Sequence, residues 1–180
     1  MRIRPADDAD AAAIAAVYAP YVTGSVISFE AEPPDAQEMQ RRMTARPRLP
    51  WLVAVDGDDV LGFAYASPHR AREAYRWAAD ASVYLEAGRR GRGIGRALYD
   101  VLVPLVRDLD YVTLHAGIAL PNDASRRLHE GLGFQLIGVY RNIGYKAGAW
   151  HDVGWWQLPL RDPVLDPPEP QEWRGDDPPR

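Results

Sequence analysis

The 180-residue chain contains no cysteine, which removes disulfides, thiolate nucleophiles and cysteine zinc sites together and suits a reducing compartment. It also lacks any apolar run near the length of a membrane span. Its start, MRIRPADDADAAAIAAVY, puts acids where a secretory signal would carry its apolar core. A cytoplasmic protein with no membrane partner is expected. Basic excess is missing too: the formal charge is -4 and the isoelectric point near 5.6. Polyanion binders gather Lys and Arg on one face, so no nucleic-acid partner is expected. Three catalytic signatures are absent. The histidines at 69, 115, 129 and 151 show neither H-E-x-x-H nor paired spacing, so no metal is expected. No G-x-S-x-G elbow marks a serine hydrolase, and no Gly-Lys-Ser/Thr ends a P-loop.

What remains is the composition of a globular domain, with 47% apolar and 26% charged residues. The length fits one domain over residues 1–160. Residues 161–180 carry six prolines among charges and no apolar period, and they read as an extended or disordered tail. Within the domain, MRIRPA predicts a strand, and Asp7 or Asp8 caps an Ala-rich helix to about Tyr18. TGSVISFEAEP, from Thr23 to Pro33, reads as a loop. Asp35 with Glu38 resembles a capping box for a helix ending near Arg46. Trp51–Val55 and Val60–Ser67 flank Asp-Gly-Asp-Asp and predict an antiparallel hairpin. ASVYLEA predicts a strand, and Arg96–Leu109 a helix after a Gly-rich turn. Tyr111–Ile118 is another strand, LPND opens a helix through Glu130, and FQLIGVYR and DVGWWQLPL are two late strands.

The most informative segment is ASVYLEAGRRGRGIGRALY. Glycines at 91, 93 and 95 let backbone approach a ligand and turn N–H groups inward. The helix that follows presents its positive end to anions. Arg89, Arg90, Arg92 and Arg96 add local charge to an acidic chain, the pattern for one small polyanion held at one spot. A dinucleotide loop fits poorly, because Arg96 stands where G-x-G-x-x-G needs its last glycine, and Asp108 and Asp110 come too early.

Arg90-Gly91-Arg92-Gly93-Ile94-Gly95 resembles the (Q/R)-x-x-G-x-(G/A) acetyl-coenzyme A signature of the GNAT N-acetyltransferases. TGSVISFEAEP, RAREAYRW, LPNDASRRLHEGLGF and WHDVGWWQL, in that order, resemble the phosphinothricin acetyltransferase branch of that family over roughly residues 3–159. The resemblance implies an α+β GNAT fold, a mixed, mostly antiparallel sheet of six to seven strands flanked by about four helices. It implies acetyl-CoA as co-substrate, an acceptor amine on phosphinothricin, methionine sulfoximine or methionine sulfone, and a homodimer. It also implies that the backbone of Val83, Tyr84 and Leu85 bonds the pantetheine arm, that Asn122 contacts that arm, and that Ser125 faces the adenosine. A CoA-binding module without catalysis, or transfer to protein amines or polyamines, are the alternatives.

Acetyl transfer needs a free lone pair, and between roughly a tenth and a thousandth of an amine of pKa about 8 to 10 is neutral at pH 7. A base is therefore useful. The expected base is Asp80, where the resembled branch carries glutamate, with Glu86 and Glu30 as substitutes. The missing methylene retracts the carboxylate by about 1.5 Å, and misplacement on the order of 1 Å can cost about a hundredfold. His129, on one helix face with Asn122 and Ser125, is the expected proton donor to the leaving thiolate. For the acceptor, Arg72 is the expected carboxylate clamp. Phe29, Tyr75 and Trp77 are expected to wall the pocket and Ser28 to offer a hydroxyl, with Tyr145, Lys146 and Trp150-His151-Asp152 completing the site, in one version from a neighbouring subunit.

Overall fold

The structure is a computed structural model that describes residues 1–175. One seven-stranded sheet runs through it: β1 (Arg2–Pro5), β2 (Trp51–Asp56), β3 (Asp59–Pro68), β4 (Ala78–Leu85), β5 (Thr113–Ala119), β6 (Gln135–Lys146) and β7 (Ala149–Pro159), in spatial order β1-β2-β3-β4-β5-β7-β6. Every pairing is antiparallel except β4 with β5. Helices α1 (Ala11–Thr23), α2 (Ala36–Met43), α3 (Ile94–Asp108) and α4 (Asp123–Gly131) flank it. The mixed sheet and the helix count match the expected fold.

WLVAV is apolar at every position because both faces of β2 are covered. Leu52 and Ala54 enter one core with α3, while Trp51, Val53 and Val55 enter a second core with α1 and α2. Helix α1 runs to Thr23, past the expected Tyr18 and through Pro20. Burial of Tyr21 and Val22 continues the face begun by Ile14 and Val17 and offsets the hydrogen bond that proline removes. Asp35 caps α2 through the Glu38 N–H, 2.8 Å away. That helix stops at Met43, short of Arg46, whose position before Pro47 disfavours helical backbone. Strand β4 begins at Ala78, so Asp80 lies inside it and not upstream of it. The two late strands are longer than expected and form one hairpin, paired from Lys146↔Ala149 back to Gln135↔Gln157.

Residues 161–175 are not a loose tail. They form no helix or strand, but Trp173 is only 3% exposed and belongs to the α3 core. Its backbone N–H donates to Arg48 O at 2.8 Å, and the backbone N–H of Gln171 donates to Leu109 O at 2.8 Å. Arg76 grips Glu169 with two nitrogens, at 2.7 and 2.8 Å. The proline-rich composition hid a strap anchored by one tryptophan. Residues 176–180 of the expected tail lie outside the described residues.

Candidate active site

The two parallel strands pair over only three positions, Ala78↔Thr113, Ala79↔Leu114 and Asp80↔His115. Beyond them β5 stays with β7 while β4 stays with β3, and the sheet opens as a wedge with Asp80 and His115 at its vertex. In the β3–β4 ladder, Glu86 N–H donates to Leu61 O at 2.9 Å. The two-residue alternation therefore aims Tyr84 at β3 and Val83 and Leu85 into the wedge. Leu85 is already engaged there: its N–H donates to the Tyr21 hydroxyl at 3.1 Å, and that hydroxyl donates to its carbonyl at 2.6 Å. Of the three residues expected to bond a pantetheine arm, Val83 alone keeps its backbone open. Tyr84 is turned away, its ring packed edge-on against Tyr18 and Tyr21 at 4.7 and 5.0 Å.

On one side of the wedge lies a cavity of about 340 Å³, lined by Val83, Leu85, Arg90, Gly91, the Gly93–Arg96 turn, Asn122 and Ser125. Gly91 and Gly93 have φ of 76° and 79°, and a Cβ built at either would meet open space. They are glycine for the backbone conformation, which aims the first N–H groups of α3 at the cavity. Arg90 lies over the Tyr21 ring, 5.3 Å from its centroid, and Arg96 bonds Asp100 and the Gly131 carbonyl. Arg89 is held by Glu86, and Arg92 does not line the cavity. Asn122 caps α4 by accepting from Ser125 N–H at 3.1 Å. The sequence reading missed Tyr21 and Arg127. Arg127 forms no ion pair among the described residues, whereas neighbouring Arg126 is held by Asp123 and Glu130.

The other side holds a cavity of about 610 Å³. Its charged lining is Asp80 and Arg70, and its walls include Phe29, Tyr65, Tyr140 and Trp155. Arg70 sits over Trp155, 5.6 Å from the ring centroid. Asp80 Oδ1 lies 2.6 Å from His69 Nδ1. An ionised carboxylate only accepts, so Nδ1–H donates. Burial raises the Asp80 carboxyl above its ordinary range, against the lowering effects of the His69 hydrogen bond and the Arg70 charge. His69 stacks on His115, centroids 4.4 Å apart and planes 20° apart. Burial, foremost, pushes the His115 imidazole below its usual value.

His69, Asp80 and His115 hold their ligand atoms within 4.8 Å of one another, which sequence spacing could not show because three separate segments meet there. Two near-parallel stacked rings cannot both aim an in-plane lone pair at one point, so this arrangement is a hydrogen-bonded cluster and not a formed metal cage.

Other expected residues lie elsewhere. His129 is 3% exposed. Its Nδ1–H donates to Ser125 O at 2.8 Å and its Nε2 accepts from Tyr99 OH at 2.9 Å, and burial lowers its pKa. Both nitrogens are used, which removes it as a direct proton donor. The Ser28 hydroxyl is buried against Tyr18 at 2.7 Å. Glu30 is held by Arg42 and Tyr18, and Glu86 by Arg89, so neither substitute base faces the acceptor cavity. Arg72 lines a separate cavity of about 840 Å³ with Arg46, Arg70, Arg76 and His69. Tyr75 and Trp77 wall a fourth one, closed by Pro163, Val164 and Pro167, and Trp77 Nε1–H donates to Pro168 O. The strap occupies the side on which these aromatics were expected to meet a ligand. Lys146 Nζ donates to the carbonyls of Val22, Ser28 and Glu30 at 2.6–3.0 Å, clamping the Thr23–Pro33 loop. Asp152 anchors Arg141 and Asn142, and His151 meets Lys146 O. Tyr145 and Trp150 are exposed, 5.3 Å apart on the hairpin.

Residues 3–155 match the family model for the GNAT acetyltransferase domain. The chain belongs to the GNAT acetyltransferase family. It is 40% identical to a phosphinothricin N-acetyltransferase of Streptomyces viridochromogenes, covering 94% of this chain and 92% of that one. It is 33% identical to an L-methionine sulfoximine/L-methionine sulfone acetyltransferase of Salmonella typhimurium, covering 89% and 95%. The solved structure of a GNAT phosphinothricin acetyltransferase from Sinorhizobium meliloti in complex with AcCoA superposes with a TM-score of 0.86 at 35% identity, over 92% and 94%. In this GNAT chain the wedge carries a glycine-and-arginine cradle on one face and a carboxylate on the other.

Proposed function

We propose that this GNAT enzyme transfers the acetyl group of acetyl-CoA to the α-amine of phosphinothricin, methionine sulfoximine or methionine sulfone, without a metal. The observation that carries the reading is the wedge: one cavity fitted to a diphosphate and one fitted to a small anionic amine meet where β4 and β5 part, and Ile27 lines both. The acetyltransferases named above support the substrate class.

The diphosphate would lie on the N–H groups of Gly91 to Arg96, with Arg90, Arg96 and Arg127 facing its charge. Val83 N–H, free in the wedge, would receive the acetyl carbonyl or the pantetheine amide. The acceptor's acidic end would meet Arg70, and its α-ammonium would lose a proton to Asp80, directly or through one water. The neutral nitrogen then attacks the thioester carbon, a C–N bond forms, the C–S bond breaks and the thiolate leaves with the electron pair. The second proton that nitrogen must shed passes through water to the thiolate, and Asp80 returns its own proton to solvent. Arg70 takes the place first given to Arg72.

A homodimer is also proposed, through the β6–β7 hairpin. Tyr140, Ile143, Tyr145 and Trp150 expose apolar surface there. Tyr140 and Ile143 also line the acceptor cavity, so a second copy on this face would roof it. A cytoplasmic location is proposed on the absence of cysteine. The test is thiol release from acetyl-CoA with the three named amino acids and with a polyamine. Release with at least one amino acid and none with the polyamine is expected; no release with any amino acid would overturn the reading.

A further inference from the structure

We propose that His69 is the positioning residue for the Asp80 carboxylate, holding one oxygen from behind so that the other is presented to the acceptor amine. The inference rests on the acetyl-transfer reading above. Asp80 lines the acceptor cavity and His69 does not. His69 lines the arginine-rich cavity on the other side. Their 2.6 Å hydrogen bond therefore crosses the wall between the two, and it occupies Oδ1.

The imidazole can hold a position because it is itself held. It is 14% exposed by side chain, stacks on His115 at 4.4 Å and meets the Trp155 edge at 5.5 Å. His115 is only 8% exposed and lies against Ala79 O at 3.3 Å. A carboxylate one methylene short of glutamate has less reach, and a fixed partner limits its remaining freedom to one useful orientation. The groups facing Asp80 are His69 and Arg70 from the segment after β3, Tyr65 and Ser67 from β3, and His115 from β5. Among these, His69 is the donor that stands within hydrogen-bonding distance of it.

Two variants separate positioning from packing. His69→Phe keeps the stack and loses the N–H, whereas His69→Asn keeps an N–H near the Nδ1 position and loses the stack. The Phe variant should lower kcat about tenfold to a hundredfold, with both KM values within about twofold. Its acid limb should move to higher pH, because the hydrogen bond that favours the ionised carboxylate is gone. The Asn variant should stay within about threefold of wild type with its acid limb unmoved. His69→Leu serves if the Phe variant fails to fold. Wild-type kcat and acid limb in the Phe variant, or an Asn variant as slow as Phe, would overturn the proposal. A ¹³C-carboxyl NMR titration of Asp80 in wild type and the Phe variant reads the same contact without turnover. The Asp80 midpoint should rise in the variant, and an unmoved midpoint counts against it. A wild-type enzyme that transfers no acetyl group would instead sink the functional reading, and the titration would still decide on His69.

Discussion

The two cavities that meet at the wedge are built in opposite ways. The cofactor side comes mainly from one continuous stretch, Val83 to Arg96, with the start of α4 added. The acceptor side gathers residues from Ile27 to Trp155, from five strands and two loops. Diphosphate recognition needs backbone N–H groups in a fixed curve, which a strand, a glycine turn and a helix start provide locally. Recognition of a small amine between a cation and a carboxylate needs side chains converging from different strands, and no local pattern records that convergence.

The largest effect that would sharpen this division lies at the junction. Asp80→Asn should lower kcat by about 10²- to 10⁴-fold, most in the window between the Asp80 midpoint and the pKa of the amine, where the carboxylate is ionised and the amine is still protonated and needs a base. Because burial raises the Asp80 carboxyl, wild-type activity should fall as pH drops through a midpoint above the ordinary carboxylate range. A flat profile in both proteins would place the base elsewhere. Next comes the cofactor side. Gly93→Val forces a β-branched residue into φ near 79° and should raise the acetyl-CoA KM about tenfold to a hundredfold, with acceptor KM unchanged. An equal rise in both KM values would break the division.

On the acceptor side, Arg70→Gln should raise the amino-acid KM about tenfold or more, while Arg72→Gln leaves it alone. The reverse ranking would restore Arg72 as the clamp. The smallest catalytic effect belongs outside both cavities. Trp173→Ala should cost about 3–5 kcal/mol of stability by leaving a void in the α3 core, read by denaturant unfolding, with both KM values unchanged. A change in acceptor KM would tie the strap to the site.

These contrasts also explain what could be read from residues alone. The glycine turn, its helix and the Asn122 cap were legible because each is a local pattern with a local physical cause. Asp80 was legible only as an acid near the cofactor strand; its place at the vertex depends on where β5 stops pairing with β4. His69 escaped notice because its partner lies eleven residues away across a strand pair. His115 left a faint signal, an ionisable group inside the apolar run YVTLHAGI. Arg72, Tyr75 and Trp77 were misplaced because a proline-rich tail gives no sign that it will fold back. His129 shares its helix face with Asn122 and Ser125, but the turn of that face toward Tyr99 is set by tertiary packing.

The most direct measurement is a crystal structure of the protein soaked with acetyl-CoA and a slow-reacting acceptor analogue. The expected result has the diphosphate on the N–H groups of Gly91 to Arg96, the thioester in the gap between Ala81 and Ala116, and the analogue's nitrogen within one water of Asp80. Diphosphate bound away from that turn, or an acceptor whose nitrogen faces away from Asp80, would contradict it.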